Sequence, residues 1–112
     1  MISIREKIEK VGRALRAQLG EDIVFHYWRA VKAGPMCIWA EDGEGASFRA
    51  DRMEREQAIT GSVDYFTEEE YDANVDKIQD ALNSVCSNWS MNSVQYEEET
   101  DLIHYEWVFT VI

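Results

Sequence analysis

Proline occurs once in the 112 residues, at Pro35, and cysteine only twice, at Cys37 and Cys86. With no Pro/Ser-rich linker and a length that suits one compact unit, the chain reads as a single domain over 1–112. Two cysteines without a C-x-x-C or a neighbouring histidine pair argue against a disulfide framework and against a zinc site. They are expected as reduced thiols packed like small hydrophobes. Histidine is as scarce. His26 and His104 each lie in a strand-like run beside aromatics, neither next to a nucleophile, so no catalytic role is assigned and the chain is not expected to be an enzyme. Positive charge is in deficit, 11 Lys and Arg against 22 Asp and Glu, for a net charge of -11. A free-standing binder of nucleic-acid phosphates would have the opposite balance. Apolar runs are short: the uncharged stretch Ala33–Ala40 falls well below the roughly 18 residues that a membrane span requires. Arg5, Glu6, Lys7 and Glu9 occupy the place of a signal peptide's apolar segment, so the protein is expected to stay in a cytosol. Gly43, Gly45 and Gly61 form no phosphate-cradling motif, and the acidic run Glu97–Asp101 lacks the glycine of a calcium loop. No cofactor or metal is expected.

Apolar residues are plentiful, at 46% with 12% aromatic, enough to build a core and incompatible with global disorder. Ile4, Ile8, Val11, Leu15 and Leu19 recur at steps of three and four, which predicts a helix from Ile2 to Leu19, with Ser3 and Glu6 as a capping box and Gly20 as its stop. Its other face would carry Arg5, Lys7, Lys10, Arg13 and Arg16, five of the eleven basic residues. Strands are expected at Asp22–Val31, Met36–Ala40 and Ala46–Ala50, with the acidic connection Glu41, Asp42 and Glu44 between the last two. Period-two alternation then predicts a long strand ending at Phe66. Thr67, Glu70, Phe66 and Tyr71 read as the cap and hydrophobic staple of a second helix with Val75, Ile78, Leu82 and Val85 on its buried face. Two closing strands, Met91–Glu97 and Leu102–Val111, flank the turn Glu98–Asp101, and the odd positions of the last one should face the core. The order is a helix, three or four strands, a second helix and two strands, in its shorter form α-β-β-β-α-β-β. The fold class is α+β, an antiparallel sheet of about five strands with two helices packed on one face.

The paired aromatics His26-Tyr27-Trp28 and Tyr105-Glu106-Trp107 could stack on bases, but such platforms sit in positive charge, and core packing is the commoner role. An acidic chain can also imitate DNA and block a DNA-binding enzyme.

The strand Ala58–Phe66, the helix beginning at Thr67, and the closing hairpin Ser93–Trp107 follow one another in a pattern that resembles the tail terminator (tail-completion, head–tail joining) proteins of long-tailed bacteriophages and prophages. Pro35 to Trp39, Val63 to Thr67 and Tyr96 to Val108 take the places of that family's Pro-aromatic segment, Val-Asp strand and closing hairpin. The resemblance implies a non-catalytic assembly protein, commonly a hexameric ring, that caps the tail tube and joins it to the head. Its partners would be other copies of itself, the tail-tube protein and a head-completion protein, with DNA passing through unbound and no membrane involved. It would work in the host bacterial cytoplasm during assembly and then in the virion. A head-completion or other minor virion structural protein is the alternative, and a DNA-mimicking inhibitor is a further one. Like-charge walls keep DNA from sticking, so Glu41, Asp42 and Glu44, or Glu97, Glu98, Glu99 and Asp101, are candidates for a lumen or partner-facing surface. Arg5, Lys10, Arg13 and Arg16 are candidates for a basic face between subunits.

Overall fold

The computed structural model describes residues 3–28, 34–45, 48–49 and 55–112. The elements are α1 (Ile4–Leu19), β1 (Val24–His26), β2 (Met36–Glu44), β3 (Phe48–Arg49), β4 (Arg55–Glu56), β5 (Ile59–Thr67), α2 (Asn74–Val85), β6 (Asn88–Glu97) and β7 (Leu102–Val111). Five strands form one sheet in the order β1-β2-β5-β7-β6, and β3 and β4 pair separately. The α+β architecture matches the expectation. The pairing differs at one edge, where β1 runs parallel to β2 with His26 beside Trp39. Tyr27, at φ 76°, and the Trp28 N–H bonded to the His26 carbonyl at 3.0 Å turn the chain off the sheet directly after His26. That turn ends the expected long strand after three residues, and positions 29–31 of it lie outside the described residues, as do parts of the expected strand Ala46–Ala50.

Both helices cover one face of the sheet. Val11 and Leu15 of α1 meet Ile78, Ala81 and Leu82 of α2 above Cys37, Trp39, Val63, Tyr65, Trp107, Phe109 and Val111 in a single core. The odd positions of β7 from Trp107 onward are buried, as its alternation predicts. Each such apolar side chain stabilises the fold by roughly 1.5–3 kcal/mol relative to exposure. Ser3 caps α1 by accepting the Glu6 N–H at 3.1 Å, and Gly20, at φ 88°, donates its N–H to the Arg16 carbonyl.

Four expectations on the helices are corrected. Lys7 does not join a solvated basic face: it is 1% exposed, and its ammonium donates to the Gln57 carbonyl at 2.8 Å. Ile4, placed by periodicity in the core, is 44% exposed. The second helix begins at Asn74, not after Thr67, because Thr67 is still paired in β5 opposite Ile103. Its hydroxyl accepts the Glu69 N–H, at 3.0 Å, and Tyr71, at φ 60°, is 90% exposed, so no hydrophobic staple forms. Asp72 takes over the capping role, accepting the Asn74 N–H at 2.8 Å.

Two glycines mark the tightest approaches. A Cβ on Gly12, in the middle of α1, would lie 2.5 Å from Cζ2 of Trp39, and one on Gly61 would lie 2.4 Å from both the Ala40 carbonyl oxygen and the Phe109 ring. Alanine inside a helix is normally better than glycine by about 1 kcal/mol. Here the sign reverses: Gly12→Ala and Gly61→Ala are each expected to destabilise by about 1–3 kcal/mol in urea unfolding, the usual cost of overpacking. Gly43→Ala, whose Cβ would meet nothing closer than Thr60 Oγ1 at 3.7 Å, is the control and should stay close to wild type.

Candidate functional site

The two acidic sets expected from the sequence fall at opposite ends of the sheet. Glu41, Asp42 and Glu44 are in β2 rather than in a loop, beside the start of β5. Asp42 is the extra residue of a bulge between the pairs Glu41–Gly61 and Gly43–Thr60, and its carboxylate accepts the Thr60 hydroxyl at 2.8 Å. Glu41 turns the other way, onto β1. Its two oxygens take His26 Nε2 at 2.7 Å and the Tyr27 hydroxyl at 2.5 Å, while the His26 ring stacks on Trp39 with centroids 3.9 Å apart. Partial burial raises the Glu41 pKa, but the hydrogen bonds from Tyr27 and His26 outweigh it and hold the carboxyl below its ordinary range.

The second set closes the β6–β7 hairpin. Glu97 ends β6, Glu98 and Glu99 are exposed in the turn, and Asp101, at φ 57°, donates its N–H back to the Glu97 carbonyl at 2.9 Å. Asp101 also accepts the Tyr96 hydroxyl at 2.6 Å, which with partial desolvation raises that phenol's pKa. Glu97 lies 3.4 Å from His104 Nδ1, and His104 Nε2 meets Asp64 at 2.7 Å, so one imidazole bridges carboxylates of β5 and β6 across β7. Alternation along β5 and β7 already implied that Asp64 and His104 share a face. The two histidines nonetheless do not converge: His26 packs on the helix-covered side, and His104 stacks on Phe66 on the open side.

The basic residues of α1 divide into two groups. Lys10 and Arg13 line a groove of about 420 Å³ between the helices, floored by Ala14, Ala17, Ser84 and Val85. Lys10 donates to the Ile112 carbonyl at 3.4 Å, and Arg13 makes one exposed pair with Glu9 at 3.7 Å. Arg16 lies over Gly12 on the opposite flank, and Arg5, about three turns earlier, shares that side of the helix. The sequence did not flag a further polar cluster at the start of α2. The Tyr65 hydroxyl donates to Asp72 at 2.6 Å and accepts from the Asn74 amide at 2.9 Å. Asp72 resists the upward pull of burial, and its bonds from Tyr65 and the Asn74 N–H lower its pKa.

Both thiols are free, and burial pushes Cys37 well above the usual range and Cys86 to about 12. Neither is an activated nucleophile. Among the described residues, no three His, Cys, Asp or Glu side chains are placed to hold a metal ion, and no helix is long and apolar enough to cross a membrane. The arrangement concentrates charge on outer surfaces.

No family model matches this chain, and no curated protein does. Among solved structures, it is similar to a chain in the virion of a native gene transfer agent particle. The TM-score is 0.55 at 16% identity, over 97% of this chain and 92% of that one. A likeness at that identity establishes a shared fold.

Glu41 and Asp72 bind fewer protons folded than unfolded, so the stability they contribute is complete above the unfolded values, about 4.3 and 3.9, and is lost as pH falls through the lower folded values. Thermal unfolding should therefore show a stability plateau that declines below about pH 5. Tyr65→Phe should cost about 1–3 kcal/mol at neutral pH, because Asp72 loses a buried donor.

Proposed function

We propose that this chain is a structural protein of a phage-like particle that acts at the head–tail junction. There it would cap the finished tail tube and join it to the head, as one subunit of a ring of commonly six copies. The observation that carries this reading is the fold shared, over nearly the whole chain, with a component of a virion particle. The order of strand, helix and closing hairpin that resembles tail terminators supports it from the sequence. So does the disposition of charge, since a closed ring of one repeated contact needs two different complementary faces on each subunit.

In this role the molecule performs no chemical step. Its partners are further copies of itself, the tail-tube protein and a head-completion protein, and it assembles in the host bacterial cytoplasm before residing in the virion. Asp42 and Glu44, exposed at one end of β2, suit a lumen or tube-facing surface, where a negative wall lets DNA pass without adhering. Glu41 is better understood as a tie between β1 and β2, since His26 and Tyr27 occupy both of its oxygens.

The test is to add the purified chain to polymerising tail-tube protein from the same particle and image the product by negative stain. Tubes should stop at a defined length and carry a collar at one end, and the chain alone should give rings at high concentration. A chain that stays monomeric at every concentration and leaves tubes uncapped would overturn the proposal. A monomer that instead captures a basic DNA-binding protein would replace it with the DNA-mimic reading.

A further inference from the structure

The sheet is longer than the helices that cover it. The molecule measures 52 × 24 × 22 Å, β6 spans about 30 Å against about 18 Å for α2, and the far half of the β6–β7 hairpin carries exposed apolar side chains. Register puts Val94 opposite Tyr105 and Tyr96 opposite Ile103, on the side that faces the core nearer the base. Val94 is 50% exposed and Tyr96 60%. An apolar strip of this kind, ending in Glu97, Glu98, Glu99 and Asp101, has the composition of a binding arm: an adhesive face with a charged tip.

The groove between α1 and α2 is its complement in both respects. Its floor of Ala14, Ala17 and Val85 is apolar and shallow, so a side chain such as Tyr96 can lie on it, and its rim carries Lys10 and Arg13. Among the described residues the ion pair on that rim is Arg13 with Glu9, exposed at both partners, and it exchanges readily for a better one. The arm cannot reach this groove within its own chain. Ser84 and Val85 precede the first residue of β6 by only a few positions, while the tip lies at the other end of that strand, nine residue steps or roughly 30 Å away.

From this mismatch we infer that the hairpin arm of one copy docks in the α1–α2 groove of the next. Val94 and Tyr96 cover the apolar floor, and the carboxylates of Glu98 and Glu99 face Lys10 and Arg13. The contact is heterologous, because the two surfaces differ and lie at opposite ends of the chain, and repetition with the right rotation closes a ring. The inference rests on the ring reading above and names the surfaces that build the ring.

Two charge-reversed chains test it by sedimentation velocity: Lys10→Glu with Arg13→Glu in the groove, and Glu98→Lys with Glu99→Lys in the arm. Each alone should need at least about ten-fold more protein than wild type to assemble. An equimolar mixture should assemble again, since each reversed surface then meets its complement, and wild-type assembly should weaken with added salt. If the groove variant loses its circular dichroism, Arg13→Glu alone serves in its place, on a side chain 65% exposed. Reversed chains that assemble like wild type, or a mixture that stays monomeric when each variant does, would overturn the docking contact while leaving the ring intact. A wild-type chain that never forms rings, alone or on tubes, would remove the ring itself.

Discussion

The domain is organised around the contact of one helix backbone with one indole ring. Gly12 lets α1 settle so close to Trp39 that no side chain fits between them, and Trp39 is in turn stacked on His26. From that contact the rest of the helix layer follows. With α1 seated on β2, Val11 and Leu15 reach the core, Lys7 is carried inward to the Gln57 carbonyl, and Lys10 is brought to the last residue of the chain. The indole nitrogen of Trp39 is buried with no acceptor among the described residues, a cost of about 1–3 kcal/mol that the surrounding apolar packing must offset. A polar partner there would have held the helix farther off. The spacing of α1 from α2, and hence the groove on their outer side, is a consequence of the same approach.

On the opposite edge the sheet is free of such a constraint. Among the described residues β6 has a neighbour only in β7, and Val94 and Tyr96 on its inward side are exposed. A bulge at Asn92, where the register shifts between Met91 and Ser93, is tied across to Glu106 through the Asn92 amide at 2.7 Å. Bulges strengthen local twist, so the arm is held in a bent, defined direction instead of lying flat as a template for indiscriminate strand pairing. The tip is fixed as well, by the Tyr96–Asp101 bond and the left-handed Asp101. An arm preorganised in this way loses little freedom on docking.

Much of this was readable from the residues, for reasons that vary by element. The stripe of α1, the β5 alternation and the odd face of β7 were legible because a helix or strand with one buried face writes its period into the sequence. The start of α2 was misread because Thr67-Glu-Glu-Glu satisfies a capping pattern locally, while β5 keeps Thr67 in its ladder and the chain spends four further residues on a turn before Asp72 caps. Lys7 was misplaced because a lysine inside a basic run looks solvated. Its burial depends on the Gln57 carbonyl, fifty positions away, which no local window contains. The parallel β1 was hidden for a similar reason: short connections argue for hairpins, and the positive φ of Tyr27 leaves no mark in residue type. Of the candidate surfaces, the charges were visible and their geometry was not. Nothing in the spacing of Arg5, Lys10, Arg13 and Arg16 says that only the middle two border a groove.

Net charge limits how such a chain can associate. At -11 per subunit, two copies repel once their surfaces come within a Debye length, about 8 Å at physiological salt. Association through generic surface is therefore disfavoured, and the repulsion is reduced only where one partner presents the opposite sign. α1 holds five of the eleven basic residues, and the two that border an apolar surface are Lys10 and Arg13. A contact limited to that place is specific in orientation, weak in isolation and sensitive to salt. Under the role proposed above these are useful properties: a template that collects subunits raises their local concentration enough to overcome the repulsion, whereas dilute free subunits stay apart.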